Sequence, residues 1–288
     1  MTPWLFLLPV ILSLLLLFGY PLIRSIIMAF QNYKLTAPDK VYFNGFENFK
    51  KVLATNEVGM VAKNSLVWVL SSVAGQALLG MILAIVLKKN FKGRGIYQSI
   101  VFLPWAVSGF VVGLIWRFSF YGEYGIVNNL LLKLGIIEEK ISWLSTPGLS
   151  LAVPTIAMVW IGIPFFAINI LAALQSIPAD IYEAADVDGC GLTRQFFQIT
   201  LPYIKPTLIT TILLRTIWVF NSFDLIMVIT DGGPANTSQT LTSYMYAKAF
   251  GNYDLGQAAA LGVLLMIGLS IYALVFLKVT NYDKAGDF

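Results

Sequence analysis

The residues best suited to chemistry lie in the apolar stretch 203–230. Thr211, Arg215, Trp218 and Ser222 follow i, i+4, i+7 and i+11, so a helix would set them on one face. An indole beside hydrogen-bonding groups suits a sugar, whose C–H face packs on the ring while its hydroxyls need partners. Arg215 lies about eleven residues into the stretch, close to mid-bilayer if that stretch crosses a membrane. A charge at that depth costs roughly 2.5–3.5 kcal/mol and therefore marks either a solute pathway or a specific helix partner. In the apolar run 150–174, Gly162, Phe165 and Asn169 also share a face, beside Pro164. Asp224 is a poor partner for Arg215 on one continuous helix, being about 180° around it and about 13 Å along it.

A second pattern separates these two runs. Glu183-Ala184-Ala185-Asp186-Val187-Asp188-Gly189 is followed by Ile199, Leu201 and Pro202. Ser176, Pro178 and Asp180 read as a helix start, with the acid at the positive end of the dipole. Gly189 supplies a left-handed stop. A second short helix is expected from about Thr193 to Leu201, broken at Pro202. The stretch 176–202 thus reads as a helical elbow outside the membrane, joined to a membrane helix on either side. Asp186 and Asp188 form an Asp-x-Asp, which in a membrane glycosyltransferase could hold the metal of a nucleotide sugar through hard oxygen ligands. No nucleotide-binding domain surrounds them here.

Composition narrows the field. Apolar residues make up 58 % and charged residues 12 %, with a mean hydropathy of +0.77, against about a quarter charged in ordinary soluble domains. The chain is therefore all-α and polytopic. Six windows approach the roughly 20 apolar residues a span requires: 4–28, 65–87, 96–116, 150–174, 203–230 and 256–278. The first lacks a basic n-region and a small-residue cleavage site, and reads as a span. The chain has no histidine, which excludes His triads and His metal sites. A lone cysteine, Cys190, excludes an internal disulfide and suits a reduced cytosolic thiol. With no Gly-Lys pair there is no Walker A loop, so the chain cannot hydrolyse ATP by that route. The net charge of +4 concerns topology rather than nucleic acid. Lys88, Lys89, Lys92 and Arg94 crowd one short link, which places it, the elbow and both termini in the cytosol. Outside, Ile126, Val127, Leu130, Leu131 and Leu134 form an apolar stripe opposite Asn128, Asn129 and Lys133, as in a short helix packed on the bundle or lying at the interface. One transmembrane domain over 1–288 accounts for the whole chain. An ion-coupled secondary transporter is the rival class, but paired repeats are not evident.

The elbow resembles the EAA loop of bacterial ABC-importer permeases. Glu183, Ala184, Ala185, Gly189, Ile199, Leu201 and Pro202 match its Glu-Ala-Ala, Gly, Ile and Leu-Pro without a gap. Four further segments are similar to the carbohydrate-uptake branch, relatives of the first maltose-permease subunit: 173–178, Asn44–Phe49, Phe102–Pro104 and Thr230–Ala235. Unlike that subunit, this chain lacks extra N-terminal spans and a large inserted outer domain.

The resemblance implies a type I importer transmembrane domain whose elbow is a coupling helix, with Glu183, Ala184, Ala185, Asp186, Gly189, Leu201 and Pro202 meeting the ATPase. It also implies a solute pathway past Gly162, Phe165, Asn169, Arg215, Trp218 and Ser222. The implied partners are a second homologous permease, two ATPase subunits that bind the Mg-ATP, an extracytoplasmic solute-binding protein and membrane lipid. The chain itself would hold no cofactor and no metal. The implied solute is a mono-, di- or oligosaccharide or a polyol, with glycerol-3-phosphate or another small anion as the alternative. The implied location is a bacterial or archaeal plasma membrane.

Overall fold

In a computed structural model, residues 2–280 are described, with side chains from Phe6 onward. In chain order the helices are α1 (Thr2–Leu14), α2 (Tyr20–Ala29), α3 (Glu47–Ala54), α4 (Asn56–Lys88), α5 (Arg94–Ala106), α6 (Gly109–Ser119), α7 (Ile126–Lys133), α8 (Ala152–Gln175), α9 (Ala179–Val187), α10 (Leu192–Gln195), α11 (Leu201–Asn221), α12 (Asp224–Ile229), α13 (Leu241–Tyr246) and α14 (Leu255–Val279). A wide π-turn, Leu15–Gly19, joins α1 to α2 into one run. Strands β1 (Gln31–Asn32) and β2 (Tyr42–Phe43) form a two-stranded antiparallel pairing. Residues 1 and 281–288, and with them the chain ends expected in the cytosol, lie outside the described residues.

Among the described residues, four helical runs are long and apolar enough to cross a membrane: Phe6–Ala29, α4, α8 and α14. A fifth is reached if α5 and α6 count as one broken span, bent by 93°. The expected span 96–116 is therefore not straight. Pro104 removes a helical donor, and Val107 and Ser108 turn extended before α6 begins. The expected span 203–230 is also interrupted, because α11 stops at Asn221 and α12 starts at Asp224. The amide of Asn221 donates to the Ile217 carbonyl and the Ser222 hydroxyl to the Trp218 carbonyl. Small polar side chains thus satisfy the last turn and let the backbone leave it. Apolar composition alone does not register either break.

The described residues divide into two compact units. The first lies within Met1–Ala62 and Leu241–Ser270. Every side chain from Phe6 to Phe18 is exposed in it, as suits a helix solvated by lipid. Buried Asn48 of the Asn44–Phe49 segment donates to the carbonyls of Ala29 and Gln31, which anchors the end of α2. Phe30 packs among Phe43, Phe46 and Phe49. The Tyr244 hydroxyl donates to Glu57, and burial together with that carboxylate pushes the phenol up to about 12.

The second unit lies within Lys63–Thr240 and Ile271–Phe288. Its core joins α4, α8 and α11 with the short α6 and α12, around Trp68, Phe166, Ile170, Ile204 and Ile226. The Trp68 indole donates to the Val219 carbonyl at 2.9 Å, and Arg117 donates to the Val228 carbonyl at 2.9 Å. Asn64 donates to the carbonyls of Thr237 and Gln239, tying down the loop after Thr230–Ala235. Helix α7 keeps the expected face only in part, with Val127 and Leu131 half-buried and Asn129 and Lys133 exposed. Asn128 is buried, giving its amide to the carbonyls of Gly122 and Ile141 and accepting from the Trp143 indole, while Ile126, Leu130 and Leu134 stand exposed. A fully bonded amide outranked the apolar stripe.

Candidate functional site

The elbow forms as two helices joined by a tight turn. Ser176 belongs to the end of α8, where its hydroxyl donates to the Ala173 carbonyl, so α9 starts after extended Pro178 rather than at Ser176. At the other end of α9, Cys190 N–H reaches the Ala185 carbonyl and Gly189 N–H the Asp186 carbonyl. That pair of bonds is a Schellman closure, and it needs Gly189 at φ +70°. Glu183, Ala184, Val187 and Asp188 face outward, whereas Ala185 is buried. Asp186 is exposed but occupied: it accepts from the buried Gln195 amide at 2.6 Å, and the same amide reaches the Cys190 carbonyl at 2.8 Å.

Pro202 does not end a helix. A wide turn over Phe196–Thr200 bonds Leu201 N–H to the Phe196 carbonyl, and α11 continues with the proline in its first turn. The five-residue register skips a proline that a normal turn would reject. Leu201 and Pro202 therefore belong to α11, apart from Glu183, Ala184 and Asp186 on α9. The Tyr182 and Thr200 hydroxyls, 2.8 Å apart, link the two pieces. Lys88, at the end of α4, sets its ammonium over the Tyr182 ring at 4.1 Å from the centroid.

The second group centres on Arg215, which is only 8 % exposed. Its Nε donates to the Gln76 Oε1 at 2.6 Å, and Gln76 in turn donates to the Met158 carbonyl at 2.9 Å. Nη2 points to the Met158 sulfur at 3.7 Å, and Cζ lies 5.8 Å from the Phe165 ring centroid. Gly162 makes room: a Cβ there would strike the Gln76 amide and come within 2.6 Å of Arg215 Nη2. The charge is thus held by α4 and α8 of the same chain, the helix partner that the sequence left open beside a solute.

Beside this cluster Phe165 touches two half-exposed indoles, Trp218 at 5.2 Å and Trp105 at 6.2 Å between centroids. The structure therefore brings together Gly162, Phe165, Arg215 and Trp218. It does not bring Asn169, whose amide turns to the Phe165 carbonyl, or Ser222, which lies past the end of α11. Thr211 is buried and bonds the Thr207 carbonyl. Asp224 starts α12 beside Gly109, so the broken helix, and not an angle around one helix, separates it from Arg215. Gln76 and Trp105 were missed. A lone amide inside the apolar run 65–87 was the available signal for the first, and an indole directly after Pro104 for the second.

Comparison with known proteins agrees with this architecture. The family model described as binding-protein-dependent transport system inner membrane component matches residues 76–281. A probable ABC transporter permease protein of Brucella suis is 35 % identical over 242 residues, 84 % of either chain. The trehalose/maltose transport system permease protein of Thermococcus litoralis is 34 % identical over 283 residues, 98 % of this chain and 94 % of that one. A crystal structure of a bacterial ABC transporter involved in the import of the acidic polysaccharide alginate shares the fold. Its TM-score is 0.84 at 24 % identity, over 96 % of this chain and 94 % of that one. The chain belongs to the binding-protein-dependent transport inner-membrane components, the multi-pass permease subunits of ABC transporters.

Proposed function

We propose that the chain is one of two permease subunits in an ATP-driven importer of a carbohydrate, coupled through its elbow to a separate ATPase. The observation that carries this reading is the outward face of α9. The Glu183 carboxylate has no partner among the described side-chain hydrogen bonds and ion pairs and Ala184 is exposed beside it, while the same helix is fixed from behind by Asp186–Gln195, Tyr182–Thr200 and Lys88. A carboxylate beside small alanines offers a basic partner both charge and close approach. Movement of α9 then passes across the turn at Gly189, through the Tyr182–Thr200 and Asp186–Gln195 bonds, into the continuous helical run of α10 and α11, and the solute site opens and closes as these helices rock. The link bearing Lys88 to Arg94 faces the cytosol in this scheme, together with the elbow.

For the solute, the aromatic shelf of Trp105, Phe165 and Trp218 suits the C–H faces of a sugar ring. Arg215 is a positioning residue here. Its Nε is held by Gln76 and its guanidinium lies behind the Phe165 ring at 5.8 Å, so the aromatic face rather than the cation is turned to a neutral sugar. The trehalose/maltose name of the Thermococcus relative supports the same class. The chain would act with a second permease, two ATPase subunits and a solute-binding protein. The test is site-directed cross-linking from residue 183 in the assembled complex, together with Glu183→Ala. The expected result is capture of the ATPase by the cross-linker and loss of solute-stimulated hydrolysis in the variant, with nucleotide binding intact. Normal stimulation in Glu183→Ala would remove the elbow from the coupling path.

A further inference from the structure

Behind the elbow a cleft of about 470 Å³ opens between the ends of two membrane helices, a size ordinary for a ligand pocket. Ile85 and Leu174, from the last turns of α4 and α8, and Phe196, from the wide turn, supply apolar lining, and Leu192 adds a side chain that is 83 % exposed. The charged lining is Lys88 and Lys89. Neither takes part in the ion pairs found among the described residues, Lys34–Asp254 and Lys51–Glu47, and among those residues the Lys88 ammonium, resting over the Tyr182 ring, has no anion beside it. The polar groups that remain are already engaged: Gln195 with Asp186 and Cys190, Thr200 with Tyr182.

A soluble polar ligand would need an array of open donors and acceptors, which this cleft does not offer. It offers two cations and hydrocarbon walls, at the level where α4 and α8 leave the membrane. Basic pockets between membrane helices at the aqueous boundary suit anionic headgroups. We infer that the cleft binds an anionic phospholipid, its phosphate on Lys88 and Lys89 and an acyl chain along Ile85, Leu174 and Phe196. Such a lipid bridges the end of α4 to the back of the elbow and fixes the seat against which α9 moves. The inference rests on α4 and α8 crossing the membrane and is independent of whether an ATPase engages the elbow.

The test uses the purified full chain in detergent, without nucleotide, ATPase or solute. Photoactivatable phosphatidylglycerol and phosphatidylcholine with identical chains are added, alone or against inorganic phosphate. The expected result is cross-linking of phosphatidylglycerol to peptides containing 85–89 and 192–196, persisting in the presence of phosphate. Lys88→Gln and Lys89→Gln each lower its retention about fivefold, and the pair about thirtyfold. Lys92→Gln leaves retention unchanged, and Lys88→Arg with Lys89→Arg preserves it, which excludes misfolding as the cause. Equal labelling by both lipids, or labelling unaffected by loss of the two lysines, overturns the inference. Displacement of the lipid by inorganic phosphate does so too, since it makes the cleft a simple anion site.

Discussion

The elbow over residues 178–202 keeps its charges outward and its bonds local, whereas the cluster around Arg215 turns its charge inward and draws its bonds from distant helices. Asp186 meets Gln195 nine positions away; Arg215 meets Gln76 at a separation of 139. The first arrangement leaves a face free for a partner and needs little from the rest of the chain. The second uses a guanidinium N–H and a glutamine amide to join α4, α8 and α11. A conspicuous intramembrane cation can therefore be structural, while the half-exposed aromatics beside it are the surface proposed for the solute.

The contrast is sharpest at Gln76. Gln76→Leu strands a buried guanidinium, and the expected loss is about 3 kcal/mol or more, read as a lower thermal midpoint of the detergent-solubilised chain. Adding Arg215→Met should recover most of it, because two apolar groups replace the broken pair. Failure of the double variant to recover would mean that Arg215 acts on something other than Gln76. Gly189→Ala comes next, at about 1 kcal/mol for a left-handed residue with a Cβ. Its thermal midpoint should fall little, while transport-linked ATP hydrolysis in the assembled complex falls clearly. Trp218→Ala has the smallest effect on stability, within about 0.5 kcal/mol for a half-exposed side chain. It should instead raise the solute concentration needed for half-maximal uptake several-fold. A large stability loss at Trp218 would erase the distinction between shelf and support.

The elbow was readable in the sequence because its determinants are local. Gly189 sits where a helix must stop, and the Glu-Ala-Ala and Leu-Pro identities lie at fixed spacing. Even there, Ser176 and Pro202 pointed to boundaries that the structure moves, since the serine caps α8 and a wide turn absorbs the proline. The breaks at Val107–Ser108 and Ser222–Phe223 were hidden by composition that stays apolar on both sides. The mid-helix cluster was only half legible. Spacing put Arg215 and Trp218 on α11 and Gly162 and Phe165 on α8, but nothing local to Arg215 names Gln76. Asn128 of α7 was placed on the wrong side for a related reason, because the apolar pattern cannot show that it finds partners in a loop ending at Trp143.

From Leu192 to Asn221 the backbone never leaves a helical path, passing through the wide turn without a stop. Trp218 stands about 39 Å along this rod from its start at about 1.5 Å per residue. A tilt of about 5° at the elbow end would swing the indole by roughly 3 Å over that length. The gearing is fixed by one uninterrupted shaft, so small angular play at one end becomes a displacement the size of an atom at the other.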